Sequence, residues 1–254
     1  MNEEKIKENS ESTGCLICGQ PIVYNTENAV YTCHFCKKQY ESNAVCENGH
    51  YVCDKCHSSA QSDFLRFLCD NDEKDPIALF QQVAELKSVH MHGPEHHSIV
   101  PCVLLTSYRN NGGAIDFVSA IEAAVKRGGQ IPGGTCGYWG ACGAAIGAGI
   151  YASIITVSNP LNVKAWHYPQ LLTSRCLARI SELGGPRCCK RTSRVAIEAA
   201  ALFTQEHMGI SIPVDIPSDG SVPIERMPCS HSDKNRECIR VRCPYYGGWL
   251  NAQI

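Results

Sequence analysis

The chain has 254 residues, of which 44% are hydrophobic, and its 23 basic and 25 acidic side chains leave a formal net charge of -2. That length and apolar content suffice for one large domain, or for one domain with a small appendage. Because positive charge is not in excess, we predict neither nucleic-acid binding nor attraction to an anionic membrane surface.

Cysteine is the unusual component, with 17 residues. The first ten residues contain no apolar segment of the kind that a secretory signal requires. The longest apolar stretch, around 141–155, is short and interrupted by glycine, which argues against a transmembrane helix. We therefore expect a cytoplasmic protein whose cysteines are metal ligands or redox-active thiols rather than disulfides. So many thiols suit the reducing cytoplasm of an anaerobe.

The chain is predicted to begin with a disordered tail, residues 1–12, followed by a zinc-ribbon-like module over residues 13–58. The tail is charged and polar without apolar spacing. In the module, candidate ligands come in four closely spaced pairs, and such spacing lets both members of a pair reach one tetrahedral ion. Together they supply eight ligands for two structural zinc ions: Cys15, Cys18, Cys33, Cys36, Cys46, His50, Cys53 and Cys56.

The pairing of these ligands is open between two arrangements. A sequential arrangement puts the first two pairs in one site and the last two in the other, whereas a cross-brace interleaves them; we favour the sequential one. Segments 22–24 and 29–32 are expected to be short hairpin strands. His57 follows the last pair and could replace one of these ligands, but we expect it to be a surface residue or a support for a ligand. The metal would supply most of the folding free energy of so small a module.

Residues 59–90 are predicted to be a helical connector. A short amphipathic helix is expected around Phe64 and Leu68, and a second begins at Pro76 with Asp75 as its N-cap. The remaining residues, 91–254, are predicted to form a cysteine-rich α-helical domain. The whole chain is therefore expected to be mostly α, with a small β module at its N-terminal end.

A histidine-rich segment opens the helical domain. Pro94 is expected to start a helix, which leaves His92, Glu95, His96 and His97 around its first turn. Histidine is the usual general acid or base, and a carboxylate can orient its ring. The alternative is a solvated or capping cluster. The spacing also matches the inverted zinc-protease pattern, but Gly93 and Pro94 prevent the single continuous helix that this chemistry needs.

A glycine-rich loop over residues 133–142 leads into a buried helix that runs to about Thr156. Gly143 and Gly147 lie one turn apart, so this face of the helix can approach a neighbouring helix closely. Cys136 is in the loop and Cys142 at the start of the helix, where the helix dipole lowers a thiol pKa. Both are candidate catalytic thiols; the alternative is a tight helix contact that contains two ordinary buried cysteines.

A second pair of candidate catalytic thiols, Cys188 and Cys189, opens a later helix; metal ligation is the other functional option for this pair. Basic neighbours and the helix dipole are expected to favour the thiolate form there. The irregular C-terminal segment contains Cys229, Cys238 and Cys243, whose spacing is similar to an iron–sulfur ligand run. We predict that these three bind a cofactor, either an iron–sulfur cluster or, with His231, a third zinc ion.

Three segments, 46–57, 91–97 and 132–143, resemble an uncharacterised cysteine-rich family of anaerobic bacteria and archaea. Its members occur alone or attached to an S-adenosylmethionine-dependent methyltransferase domain. The resemblance covers nearly the whole chain beyond the tail, yet it implies no activity and no catalytic residues. The chain itself lacks the βαβ alternation of a methyltransferase.

The leading hypothesis is a metal- or thiol-dependent enzyme in sulfur, electron or one-carbon group transfer. It requires the four catalytic thiols to converge with the first-turn histidines, and the C-terminal cysteines to cover the same face. The substrate or partner would be a small molecule or a protein. The alternative is a zinc-binding adaptor without chemistry, which recruits a partner enzyme such as a methyltransferase.

Overall fold

The computed structural model describes residues 14–15, 18, 20–34, 37–57, 61–214 and 228–246, with only the backbone described for 55–56 and 61–63. The expected tail, residues 1–12, lies outside the described residues. The elements are β1 (Ile22–Thr32), β2 (Gln39–Cys46), α1 (Asp54–His57), α2 (Gln61–Cys69), α3 (Pro76–Ala84), α4 (Glu95–Asn110), α5 (Phe117–Gly128), α6 (Thr135–Tyr138), α7 (Gly143–Ile155), α8 (His167–Leu183) and α9 (Cys189–Met208). The prediction of a mostly helical protein with a small N-terminal β module is confirmed.

The β module is a single antiparallel hairpin. Ile22 pairs with Cys46 at one end and Thr32 with Gln39 at the other, with an irregularity in register between Tyr24 and Ala29. The two short strands expected within residues 22–32 are therefore one strand, which corrects that prediction. The polar residues between them indicated a turn, but they are accommodated in the irregular part of an exposed strand.

The helical body is built around α4 and α7. Helix α4 is buried along almost its whole length and packs against α2, α3, α5, α7 and α9, while α7 also contacts α5, α8 and α9. Tyr151 of α7 is fully buried, and its hydroxyl lies 2.8 Å from that of Thr204 in α9. In the described part of the chain, no helix combines the length and the apolar character needed to cross a bilayer.

The expected close approach of α7 to a neighbouring helix is confirmed, and the neighbour is α4. A Cβ atom on Gly147 would lie 2.9 Å from the carbonyl oxygen of His97 and 3.0 Å from Cδ of Pro101. A Cβ on Gly143 would collide with the His97 imidazole. Because the obstacle at Gly147 includes backbone, the two helices would have to separate to admit a side chain.

Replacing Gly147 by valine is expected to lower the free energy of unfolding by about 1–3 kcal/mol, the usual cost of overpacking. Urea unfolding followed by circular dichroism measures the change. Gly137→Val is the control, because nothing lies within 4 Å of a Cβ at Gly137. Equal stability of the two variants would contradict the close helix contact.

The C-terminal segment 228–246 folds back onto α9. The amide of Cys229 donates to the carbonyl of Tyr245 at 2.7 Å, and Val195, Ile239 and Tyr245 form a small apolar cluster. The Arg194 guanidinium lies 5.2 Å from the centre of the Tyr245 ring. These contacts hold the C-terminal cysteines beside the beginning of α9.

Candidate functional site

The β module contains one complete candidate metal site. Its ligand atoms all lie within 4.8 Å of one another and belong to Cys15, Cys18, Cys46 and His50. The Cys18 sulfur lies 3.4 Å from the Cys46 sulfur and 3.3 Å from Nδ1 of His50. Donors around one tetrahedral zinc ion lie about 3.3–3.8 Å apart, so these four residues can hold a metal ion.

Backbone geometry prepares this site. Gly49 has a φ of 79°, which a glycine adopts freely, and its amide donates to the Cys46 carbonyl at 2.7 Å. A backbone hydrogen bond from Gln20, with those from Cys46 and His50, lowers the pKa of Cys18 to about 6. The thiolate form, which is the one that binds a metal, therefore predominates at neutral pH.

The sequential pairing is wrong, because the structure interleaves the pairs. The Cys53 amide donates to the Cys33 sulfur at 3.4 Å, so a cysteine of the second pair meets one of the fourth. The hairpin explains this: the first and third pairs lie at one end of β1 and β2, and Cys33 lies at the turn. The segment after His50 returns to that turn, where the His34 amide donates to the Tyr51 carbonyl at 2.8 Å. Cys36 and the side chain of Cys56 lie outside the described residues.

A second cluster forms where α1, the connector and α4 meet. His57 Nδ1 lies 3.0 Å from Oε2 of Glu95, and His90 Nδ1 lies 3.2 Å from Oε1. The His90 amide donates to Oε1 at 3.0 Å. Glu95 is fully buried. Gly93 makes the arrangement possible, because a Cβ there would collide with both the Glu95 carboxylate and the His57 ring. These three side chains can hold a metal ion.

Charge in this cluster is concentrated on Glu95. Burial alone would raise the pKa of Glu95, but hydrogen bonds from His57 and His90 hold it well below its usual range. For His57 the direction is opposite: burial alone would lower its pKa, but the contact with Glu95 raises it. In the described part of the chain, the ion-pair partners of Glu95 within 4.0 Å are all histidines.

A cavity of about 1210 Å³ separates the β module from the helical body. His57 and His90 line it, as does Arg187. The predicted catalytic residues that line it are Cys136, Cys142, Cys189, His92, His96 and His97. Two predicted residues do not: Glu95 lies behind His57 and His90, and Cys188 faces a different site. The expected convergence of all four thiols in one pocket is thus corrected to three.

Cys188 and Cys189 do not have the lowered thiol pKa values that the sequence predicted. Burial raises the pKa of Cys189 to about 12, although the Arg187 charge opposes this. Burial also raises the pKa values of Cys136 and Cys188. The expectation considered helix dipoles and nearby cations but not desolvation, which here is the largest effect. A thiol of this kind becomes anionic when a bound metal ion displaces its proton.

Alkylation of Cys189 by iodoacetamide is therefore expected to be slow at neutral pH. Because the thiolate fraction rises about tenfold per pH unit below the pKa, the rate should still be increasing at pH 10. The exposed Cys69 provides the comparison within the same chain. Peptide mass spectrometry at a series of pH values reads both rates, and rapid labelling of Cys189 at pH 7 would contradict the effect of burial.

The predicted histidines have separate environments. His97 donates from Nδ1 to the Ile131 carbonyl at 3.0 Å and so anchors the segment that precedes the glycine-rich loop. Burial and the Arg187 charge lower the pKa of His92 to about 4. His96 is buried, and its Nε2 has no hydrogen-bond partner within the residues that the structure describes. At neutral pH, His92 is therefore an uncharged ring at the cavity wall.

A third cluster lies on the other side of α9. A small pocket there is lined by Cys188, Cys229, Cys238 and Cys243. The Arg191 amide donates to the Cys188 sulfur at 3.4 Å, and Asn235 Nδ2 donates to it at 3.5 Å. The Arg240 amide donates to the Cys238 sulfur at 3.4 Å. Helix α9 thus brings a fourth cysteine to the three that the sequence identified as cofactor ligands.

Sequence reasoning missed His90 as a member of a site and considered His57 only as a substitute ligand in the zinc-ribbon-like module. His57 follows a metal ligand directly, which concealed any separate role, and its partner Glu95 is 38 residues away. The sequence did indicate that Cys188 and Cys189 face different sites. Successive residues of a helix point about 100° apart, so adjacent cysteines at a helix start face different surroundings.

Comparison with known proteins identifies the family but not an activity. No curated protein and no solved structure matches the chain significantly. A family model described as a family of unknown function (DUF5714) matches residues 65–246, which include the cavity helices and the C-terminal cysteines but not the β module. The chain therefore belongs to this family of unknown function.

Proposed function

We propose that this protein is an iron–sulfur enzyme that catalyses sulfur, electron or one-carbon group transfer. Its substrate would bind in the large cavity. One observation carries the proposal. Cys188 lines the four-cysteine pocket, while the next residue, Cys189, lines the cavity. The start of α9 thus joins a candidate metal centre to a candidate substrate site by a single peptide bond.

The polar surroundings of the four cysteines suit an anionic cluster, but the pocket between them measures only about 20 Å³, so the C-terminal segment must move away from α9 to admit a cubane. Three N–H groups donate to their sulfurs, and hydrogen bonds to sulfur are among the features that tune iron–sulfur centres. Arg191 and Arg194 line the same pocket. No three of the four sulfurs lie within 4.8 Å of one another, whereas a single zinc ion holds its sulfurs about 3.8 Å apart. A cluster, in which each cysteine binds a different iron atom, accepts the wider spacing.

The cavity favours an anionic small molecule as substrate. Arg187 lies at its wall, with its guanidinium 5.1 Å from the centre of the Tyr24 ring. Its charge opposes the pKa increase of both Cys136 and Cys189, so it lies close to both thiols. A negatively charged substrate group at Arg187 would therefore place the rest of the molecule against these sulfurs. His92 lines the same cavity and is uncharged at neutral pH, so its ring can exchange a hydrogen bond with the substrate without adding charge.

The β module is proposed to bind zinc. Three cysteines and one histidine are a common donor set for structural zinc. His57 of α1 contacts Glu95 of α4, and the Gly133 amide donates to Asp54 at 3.3 Å. The metal-stabilised module would thus form one wall of the cavity, and its folding would determine the shape of the substrate site.

Anaerobic purification of the full chain tests the proposal. We expect a brown protein with broad absorption near 400 nm, about four iron atoms and about four sulfide ions per chain, as a single cubane cluster requires. Colourless protein that contains zinc alone, after purification and reconstitution with iron and sulfide under strict anaerobiosis, would overturn it. Zinc at the four cysteines would then be the simplest replacement.

A second candidate is a zinc-stabilised adaptor that recruits a partner enzyme such as a methyltransferase. An exposed apolar loop between α7 and α8 favours it: Leu161 is 90% exposed and Val163 94%. Such a surface is typical of a protein contact. The adaptor is expected to contain no iron. Replacing Leu161 and Val163 by serine should abolish its association with the partner without changing its metal content.

A further inference from the structure

We infer that His57, His90 and Glu95 form a second metal site, which holds one divalent first-row ion with open coordination positions toward the cavity. This goes beyond the iron–sulfur proposal and does not depend on it, because the ligands differ from the four cysteines. The donor set of two imidazoles and one carboxylate is the one that zinc hydrolases and non-haem iron enzymes use for reactive metal ions.

The spacing of the donors fits a metal ion. The nitrogen–oxygen distances are 3.0 Å from His57 Nδ1 to Oε2 of Glu95 and 3.2 Å from His90 Nδ1 to Oε1, so the two imidazoles approach different oxygens of one carboxylate. One ion would contact both rings at these distances if both carboxylate oxygens bind it. Donors at these separations subtend about 90–100° at an ion about 2.1 Å from each, which falls within octahedral and distorted tetrahedral geometry. The two imidazole rings are 4.4 Å apart and inclined at 64°, so both can direct Nδ1 to one point.

The charge balance is compatible with an ion. Glu95 is fully buried, and in the described chain its ion-pair partners within 4.0 Å are histidines. A buried carboxylate requires a compensating positive charge, which a protonated histidine or a bound metal ion can supply. A divalent ion between the carboxylate and two neutral imidazoles supplies that charge without protonating either ring.

The position of the cluster determines what the ion could contact. His57 and His90 line the cavity, with side chains 17% and 26% exposed, while Glu95 is at 0%. Protein ligands would therefore cover the buried side of the ion, and its remaining positions would face the cavity. Three protein ligands with an open position distinguish reactive from structural metal sites. A substrate donor atom or a water molecule would occupy that position.

Zinc binding to the full chain tests this inference. The protein, with its cysteine sites already filled, is titrated with Zn²⁺ by calorimetry and its metal content is measured after gel filtration. We expect wild type to bind one equivalent of zinc more than His90→Ala. The zinc affinity of this site should fall at least about 100-fold in the variant. That loss is larger than the one caused by removing a residue that only supports a ligand. His207→Ala, a partly exposed histidine distant from the cluster, should behave as wild type.

A second variant removes no donor atom. Gly93→Ala places a methyl group against Glu95 and His57, and it should also lose the extra equivalent, whereas Gly137→Ala should keep it. Circular dichroism and thermal unfolding confirm that each variant is folded. Identical zinc stoichiometry and affinity in wild type and folded His90→Ala would overturn the inference and leave a hydrogen-bonded network. Because the readout is zinc at these three residues, it is independent of the iron content of the four-cysteine pocket.

Discussion

Replacement of Cys46 by serine is expected to release one metal ion and to unfold the β module. Cys46 ends β2, is 1% exposed, and its sulfur lies 3.4 Å from that of Cys18. A serine hydroxyl stays protonated at neutral pH and is a poor zinc ligand. Structural zinc contributes about 10–16 kcal/mol to folding in small modules. A two-stranded hairpin whose first strand is largely exposed has nothing comparable to replace it.

The measurement combines zinc analysis with limited proteolysis. We expect the variant to hold about one zinc ion fewer per chain and to be cleaved rapidly within β1 and β2. The helical body should remain folded, because its apolar core begins at Phe64. Cys69→Ser, at an exposed cysteine, serves as control. A Cys46→Ser protein that keeps its zinc and resists protease would show that the site is not structural.

The second large effect is expected from two adjacent residues. Cys188→Ala should lose its iron–sulfur cluster, because the pocket keeps only three cysteine ligands. Cys189→Ala should keep the cluster, because its side chain lines the cavity instead. Both substitutions lie at the start of α9, and Cys188 is also its N-cap, so Cys188→Ala carries an added stability cost of about 1 kcal/mol.

Iron and sulfide analysis of the two variants, each purified anaerobically, measures this difference. Thermal unfolding shows whether both are folded. Equal iron content in the two folded variants would contradict the division of α9 between two sites. Loss of iron from Cys189→Ala alone would instead place the cluster in the large cavity, with Cys136 and Cys142 as neighbouring thiols.

The helical architecture was predictable because local signals and tertiary packing agree. Asp75 caps α3 through a hydrogen bond to the Ile77 amide, as the Asp-Pro sequence indicates. Helix α4 begins at Glu95, directly after the proline expected to start it. Cys176 follows Leu172 at helical spacing, and both are fully buried. In these elements the sequence alone determines both the boundary and the buried face.

The pairing of metal ligands was less predictable. All four ligand pairs are chemically similar, so spacing alone does not say which pairs meet. The answer depends on the antiparallel register of β1 and β2, which brings Ile22 opposite Cys46. A polar stretch within β1 concealed the length of that strand. Once the hairpin is known, the interleaved arrangement follows from which end of it each pair occupies.

The chemistry of the thiols required the tertiary structure. A sequence shows the cations near Cys189, but it does not show how deeply the sulfur is buried, and burial raises its pKa to about 12. The hydrogen bond between His57 and Glu95 likewise forms only because the β module packs against α4. Sequence patterns therefore identified most candidate ligands, whereas their grouping into three clusters came from the fold.

Anomalous X-ray scattering from crystals grown anaerobically would identify the metal at each cluster. Data collected at the iron and zinc absorption edges locate each metal separately. We expect iron in the pocket of Cys188, Cys229, Cys238 and Cys243, and zinc at the site of Cys15, Cys18, Cys46 and His50. Crystals of protein reconstituted with iron and sulfide that show no iron signal beside Cys188 would contradict this expectation.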